Sequence, residues 1–144
     1  QALGDVFSVR LAGNIASDKA IGSLEFASKY LGSKLIVVMG HTSCGAVKAA
    51  CDDFKDGHIG EIINLIKPSI RHEKTVTDPG QRNSKNADFV EKIGALNVKY
   101  QIDTIIRCSD IVDDMLQSQQ IGIVGAVYDI ATGKVNFLEE TFVG

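Results

Sequence analysis

The sequence predicts an α/β fold in one domain: a mostly parallel sheet flanked by helices and ending in a C-terminal β-hairpin. Three observations predict it. Residues 34–40, "KLIVVMG", form a continuous apolar run rich in β-branched side chains, as expected of a strand buried on both faces of a parallel sheet. Residues 58–70 and 85–107 repeat apolar positions at helical spacing. Residues 122–130, "GIVGAVYDI", lead through "ATG" into "KVNFLEE", a strand, a turn and a returning strand.

The elements follow in order. "DVFSVR" (5–10) alternates apolar and polar residues and reads as a short strand closed by "LAGN" (11–14). Ser17 is a good N-cap for a helix carrying Ile21, Leu24, Ala27 and Leu31, with Gly32 as its C-cap. With the run at 34–40, these make a strand–helix–strand unit. A helix is expected from Cys44 to Asp53. The next, at 58–70, aligns Ile59, Ile62, Ile63 and Ile66, and Pro68 should disturb its end. Residues 72–84 are polar and marked by Pro and Gly, hence a loop. The long helix at 85–107 uses Phe89, Ile93, Leu96, Val98, Ile102, Ile105 and Ile106, with a break expected near Gly94. Ser109 caps a short helix over "DIVDDMLQ".

Composition narrows the function. A chain of 144 residues, 44% hydrophobic and 23% charged, fills one ordinary domain with a real core. A net charge of −3 without a Lys/Arg-rich block argues against nucleic acid or an anionic membrane as partner. No apolar stretch approaches the ~18 residues of a membrane span. Cys44, Cys51 and Cys108 are too few and too uneven for a disulfide framework, so a reducing, cytoplasmic compartment is expected. The sequence opens on Gln1 rather than methionine, so further residues upstream, a targeting segment included, are compatible with it.

The chemistry gathers in "GHTSCGAVKAA" (40–50), where the apolar strand gives way to a helix. Ligands of open α/β sheets collect beyond the carboxyl ends of strands. His41 and Cys44 sit at such an end, and a cysteine at a helix N-terminus favours the thiolate that zinc requires. Gly40 and Gly45 allow a tight turn and close approach of a ligand. The pair also suits a nucleophilic Cys44 with His41 as its base, and spacing alone leaves both readings open. Cys51 reads as a core residue, His58 and His72 as surface residues, and Asp5 and Arg10 as ion-pairing residues.

Four stretches, "GDVFSVRLAGN" (4–14), "GSLEFA" (22–27), "LIVVMGHTSCGAVKAA" (35–50) and "VGAVYDIATGKVNFL" (124–138), resemble the β-class carbonic anhydrases in order and interval, over essentially the whole chain. Leu11 stands where the family has Asn in "RNAGN", and Ala46 where it has the second glycine of "CGG". The resemblance implies the β-carbonic-anhydrase fold and a Zn2+ enzyme that interconverts carbon dioxide with bicarbonate and a proton, as a homodimer or homotetramer. His41 and Cys44 match two of three zinc ligands. Phe7, Ala12, Phe26 and Gly45 match the substrate pocket, Phe26 from across a dimer interface and Gly45 through backbone N–H groups.

The third ligand of the family belongs to a Cys-x-Asp-x-Arg motif, whose Asp and Arg gate the metal's fourth position. These 144 residues contain no such motif. The expectation is therefore a single domain over 1–144 that is N-terminally truncated, with the ligand strand upstream. Cys108-Ser109-Asp110 imitates the start of the motif, but Val112 replaces its arginine and the context is helical. Two other functions compete: a non-catalytic relative with an incomplete zinc site, serving assembly or regulation, and a related hydrolase acting on carbon disulfide or carbonyl sulfide.

Overall fold

The structure, a computed structural model, describes residues 1–144. A 3-10 turn at Ala12–Asn14 precedes α1 (Asp18–Lys29), β1 (Leu35–His41), α2 (Gly45–Cys51) and α3 (Ile59–His72). After a second 3-10 turn at Pro79–Gln81 come α4 (Ala87–Cys108), α5 (Asp110–Gln117), β2 (Gly122–Tyr128) and β3 (Val135–Val143). The sheet has the order β1-β2-β3. β1 and β2 run parallel, from Leu35 opposite Gly122 to His41 opposite Tyr128. β2 and β3 form the antiparallel hairpin, with a register shift between Ile123 and Gly125. At that irregularity the Thr141 hydroxyl accepts the Gly125 N–H at 2.7 Å. The α/β class and the terminal hairpin are as the sequence predicts.

Local chemistry explains the helix starts. Ser17 accepts from Ala20 N–H at 3.4 Å, Asn86 from Phe89 N–H at 3.3 Å and Ser109 from Val112 N–H at 3.1 Å, each satisfying an N–H that the first turn leaves unpaired. α1 ends at Tyr30, so Gly32, at φ 79°, relieves the following turn instead of capping the helix. α3 continues past Pro68 to His72; Asn64, whose carbonyl loses its donor, lies on the exposed side, where water can replace it. α4 runs unbroken through Gly94.

Two expectations about strands are corrected. Residues 5–10 form no strand: they are exposed, and residues 6–10 make no main-chain hydrogen bond. Alternation alone does not make a strand without a neighbour to pair with. The expected strand–helix–strand unit at the N-terminus is accordingly absent, and the parallel pair is β1 with β2. Nor is β1 buried on both faces. It lies at the sheet edge, and Ile36, Val38 and Gly40 are buried while Leu35, Val37, Met39 and His41 are exposed.

The core has two parts. Ile36 and Val38 of β1 and Ile123 of β2 pack on Val98, Ile102 and Ile105 of α4. Val47, Ile63, Ile66, Phe89 and Ile93 join α2, α3 and the first half of α4. Between these parts α4 carries Asn97 and Gln101, both fully buried. Gln101 accepts Ala16 N–H at 2.9 Å and donates to Leu65 O at 3.0 Å and Asn97 Oδ1 at 2.9 Å. Asn97 donates to Gly13 O at 2.8 Å. Two side chains one helical turn apart thus hold the chain before α1 against α3 and α4.

The loop after α3 closes around a buried ion pair. Arg82 donates to Glu73 Oε2, Val76 O and Ile70 O, each at 2.8 Å, and its guanidinium lies 5.0 Å from the Phe89 ring centroid. The Thr75 hydroxyl, more than any other group, holds the Glu73 carboxyl down, to about 2 from an ordinary 4.5. Burial opposes this shift, while Val76 N–H, Thr75 N–H and Arg82 add to it.

Gln101→Leu should cost at least about 1 kcal/mol in chemical denaturation, because Ala16 N–H is left buried without a partner, at roughly 1–3 kcal/mol. The Glu73 carboxylate gives a second expectation. Its folded value is depressed, so its stabilisation is complete above 4.5 and disappears as the pH falls toward about 2. Thermal midpoints across that window should fall steeply for the wild type and less steeply for Glu73→Gln.

Candidate metal centre

β1 delivers His41 as its last residue, Thr42 and Ser43 reverse the chain, and Cys44 stands at the N-cap of α2. Three parts of the fold fix this reversal. Thr42 N–H donates to Tyr128 O at 2.9 Å, and its hydroxyl accepts Ile130 N–H at 3.1 Å, which ties the turn to the end of β2. Ser43 sits in the left-handed region at φ 52°, and its N–H donates to Glu91 Oε1 on α4 at 2.8 Å. Beneath the strand end, the Ala12–Asn14 turn closes the packing.

That last contact explains two glycines. A Cβ on Gly40 would come within 2.9 Å of Val98 Cγ2 and 3.2 Å of Asn14 Oδ1. Gly13, at φ 71°, would place a Cβ 2.6 Å from Ile66 Cδ1 and 3.2 Å from Ala46 Cβ. The "AGN" turn therefore fits against the metal-capable loop only because both glycines lack side chains. Gly45 differs, since a Cβ there meets nothing within 4 Å and its backbone faces open space.

The two donors differ in character. His41 is exposed, and its Nδ1 lies 2.8 Å from Thr42 O. A carbonyl only accepts, so Nδ1 is the donor in this contact and Nε2 is the nitrogen left to meet a ligand, the arrangement typical of a metal-binding histidine. Cys44 is only 5% exposed, and its sulfur makes no capping hydrogen bond. An imidazole nitrogen and a thiol without a capping hydrogen bond suit a borderline-soft ion such as zinc. No group of three His, Cys, Asp or Glu side chains in the fold is arranged to hold an ion, so the 144 residues supply a pair of donors rather than a closed set.

The remaining candidates fall apart from this pair. Cys51 is half-buried against the second part of the core, and burial first, then Asp52, pushes its thiol up to about 11, which disfavours the thiolate. Cys108 ends α4 at the surface, while Ser109 caps α5 and donates to Glu25 Oε1 at 2.6 Å. The Cys-Ser-Asp stretch is thus a joint between helices. His58 is exposed beside Glu61, and His72 is exposed beside the Tyr100 ring. Asp5 accepts from Ala2 N–H at 2.7 Å and forms no ion pair, and neither does Arg10. Phe7 and Phe26 are 44% and 51% exposed, so core packing accounts for neither, and Ala12 is exposed in its 3-10 turn. Sequence reasoning missed Glu91, which meets Ser43 across 48 positions and belongs to no motif.

Gly13→Ala tests the packing under the loop. It should destabilise the fold by about 1–3 kcal/mol through overpacking and backbone strain. Ile66→Val, which removes Cδ1, should recover part of that loss when combined with it, and denaturation of the four proteins of this cycle measures the coupling.

Residues 1–135 match the family model described as carbonic anhydrase. Carbonic anhydrase 2 of Mycobacterium tuberculosis is 30% identical over 139 residues, which cover 93% of this chain and 63% of that protein. The chain thus spans just under two thirds of that relative's length. Among solved structures, the Coccomyxa β-carbonic anhydrase in complex with acetazolamide superimposes with a TM-score of 0.78 at 30% identity, covering 95% of this chain and 62% of that one. A tetrameric β-carbonic anhydrase of Sordaria macrospora reaches 0.80 at 24% identity, with 95% and 70% covered, a likeness of fold. The family match over nearly the whole chain, the shared fold and the strand-end His41–Cys44 pair agree: the chain belongs to the β-class carbonic anhydrases.

Proposed function

We propose that this chain forms the greater part of a zinc-dependent enzyme that interconverts carbon dioxide with bicarbonate and a proton. His41 Nε2 and Cys44 Sγ are two of the metal's ligands, and a third comes from residues outside these 144. The observation that carries the reading is the His41 ring, whose Nδ1 is committed to Thr42 O and whose other nitrogen is left free, three residues before a cysteine without a capping hydrogen bond. Zinc, when bound, acts as a Lewis acid that makes a water nucleophilic near neutral pH.

The chain's own residues do the rest. Thr42 O orients the imidazole. Burial of Cys44 keeps competing thiol chemistry away. Phe7 and Ala12 offer apolar surface suited to a small apolar substrate, and the open backbone at Gly45 can donate to an oxyanion. Phe26, its ring tilted against that of Tyr30 with centroids 5.8 Å apart and exposed with it, suits a second copy of the chain, as the family's homodimers and homotetramers require. Three free cysteines suit the cytoplasm, and no helix is long and apolar enough to cross a membrane.

A second reading has its own support. Two donors without a third favour a non-catalytic relative serving assembly or regulation. Elemental analysis of the full chain, together with stopped-flow carbon dioxide hydration, separates the two. About one zinc per chain and hydration abolished by Cys44→Ser or His41→Ala, each with zinc loss, is the expected result. A folded protein with neither zinc nor hydration activity selects the second reading.

A further inference from the structure

We propose that Glu91 is a positioning residue of the metal centre: its carboxylate reaches from α4 to the Ser43 N–H and fixes the turn that sets His41 against Cys44. The inference rests on the reading above that these two residues bind metal.

Only two residues separate the donors, so the conformation of Thr42 and Ser43 decides where both side chains lie. Ser43 occupies the left-handed region, which a non-glycine residue adopts at a cost unless its surroundings enforce it. Glu91 is the enforcing group. The Ser43 N–H points to its Oε1 at 2.8 Å, a charge-assisted bond of good length. The support is rigid, because Val90 and Ile93 on either side of Glu91 are fully buried. Thr42 is held independently from β2, and Glu91 supplies the side-chain hydrogen bond that holds Ser43, the link between strand and helix. The carboxylate thus acts through the backbone rather than on the metal or the substrate.

A geometric role and a charge role differ in what glutamine does. Glu91→Gln keeps an oxygen at the same place and loses the charge, whereas Glu91→Ala loses both. Cobalt titration of the full chain, followed by the sulfur-to-cobalt charge-transfer band, should show affinity down about 10–100-fold in Glu91→Ala and nearly restored in Glu91→Gln, the range for groups that orient a ligand. Val90→Ala, on the same turn of α4, should lower the thermal midpoint and leave cobalt affinity intact, which separates positioning from general loss of stability. Unchanged affinity in Glu91→Ala overturns the proposal. So does an equal loss in Glu91→Gln, which would assign the effect to charge.

If the wild-type chain takes up no cobalt, the metal reading falls and Glu91 is judged by the turn itself. Ser43 amide exchange should then be at least about tenfold faster in Glu91→Ala than in Glu91→Gln. The His41 ring should also lose its single tautomer in nitrogen NMR spectra of the alanine variant only. Equal exchange rates in the two variants overturn the proposal.

Discussion

The candidate centre depends on two buried carboxamides. Residues 11–16 belong to no ladder and no long helix, so no repeating backbone pattern holds them. Asn97 and Gln101 do so instead, pairing with Gly13 O and Ala16 N–H from a face of α4 that is otherwise packed with apolar side chains. Buried amides are costly when half satisfied and stiff when fully satisfied. Here Asn97 Oδ1 also accepts from Gln101, and Gln101 reaches Leu65 O on α3, so the network is closed. The "AGN" turn is thereby placed over Gly40 and Ala46, the residues that flank the donors on either side. A helix 84 positions away in sequence thus fixes the floor of the strand-end loop.

Much of this was legible in the sequence because it is local. The caps at Ser17 and Ser109 declare themselves through one side chain and the N–H three residues on. The periodicity of 85–107 specifies α4, and "ATG" between two strands specifies the hairpin. The strand end at His41 and the helix start at Cys44 were legible for the same reason, as the two residues share one turn. What escaped is long-range. Asn97 and Gln101 look like ordinary polar positions of a helix, and Glu91 looks like a solvated one. Their roles exist only once α4 lies beneath β1. Gly94 and Pro68 failed in the opposite direction: each is a helix breaker by local rule, yet packing on both sides carries α4 and α3 through them.

The two corrected strands share one cause. Residues 35–40 are apolar at every position, more than a strand with one covered face needs, and residues 5–10 alternate as a paired strand would. In the observed sheet β1 is an edge, so Leu35, Val37 and Met39 are exposed and residues 5–10 have nothing to pair with. A sequence pattern reports the environment a segment is suited to. In both places that environment is more enclosed than the three strands provide. Exposed apolar edge strands invite pairing, and the excess apolar character falls on the strand that ends in His41.

The centre therefore separates into a part the chain builds alone and a part it leaves to others. The turn is built alone. Thr42 is tied to β2, Ser43 to α4, and the His41 ring to its neighbour's carbonyl, so the turn between the two residues and the His41 ring are held by the fold itself. Preorganisation of this kind reduces the ordering that metal binding would otherwise require. These residues place no third His, Cys, Asp or Glu with the pair and no cover over β1. A turn fixed so firmly, beside a strand edge with apolar side chains left in solvent, suits the proposed function, in which a further ligand completes the pair. The rigidity of the turn means that a completing ligand of that proposed site meets a fixed frame. It need not reorganise the half of the site already in place.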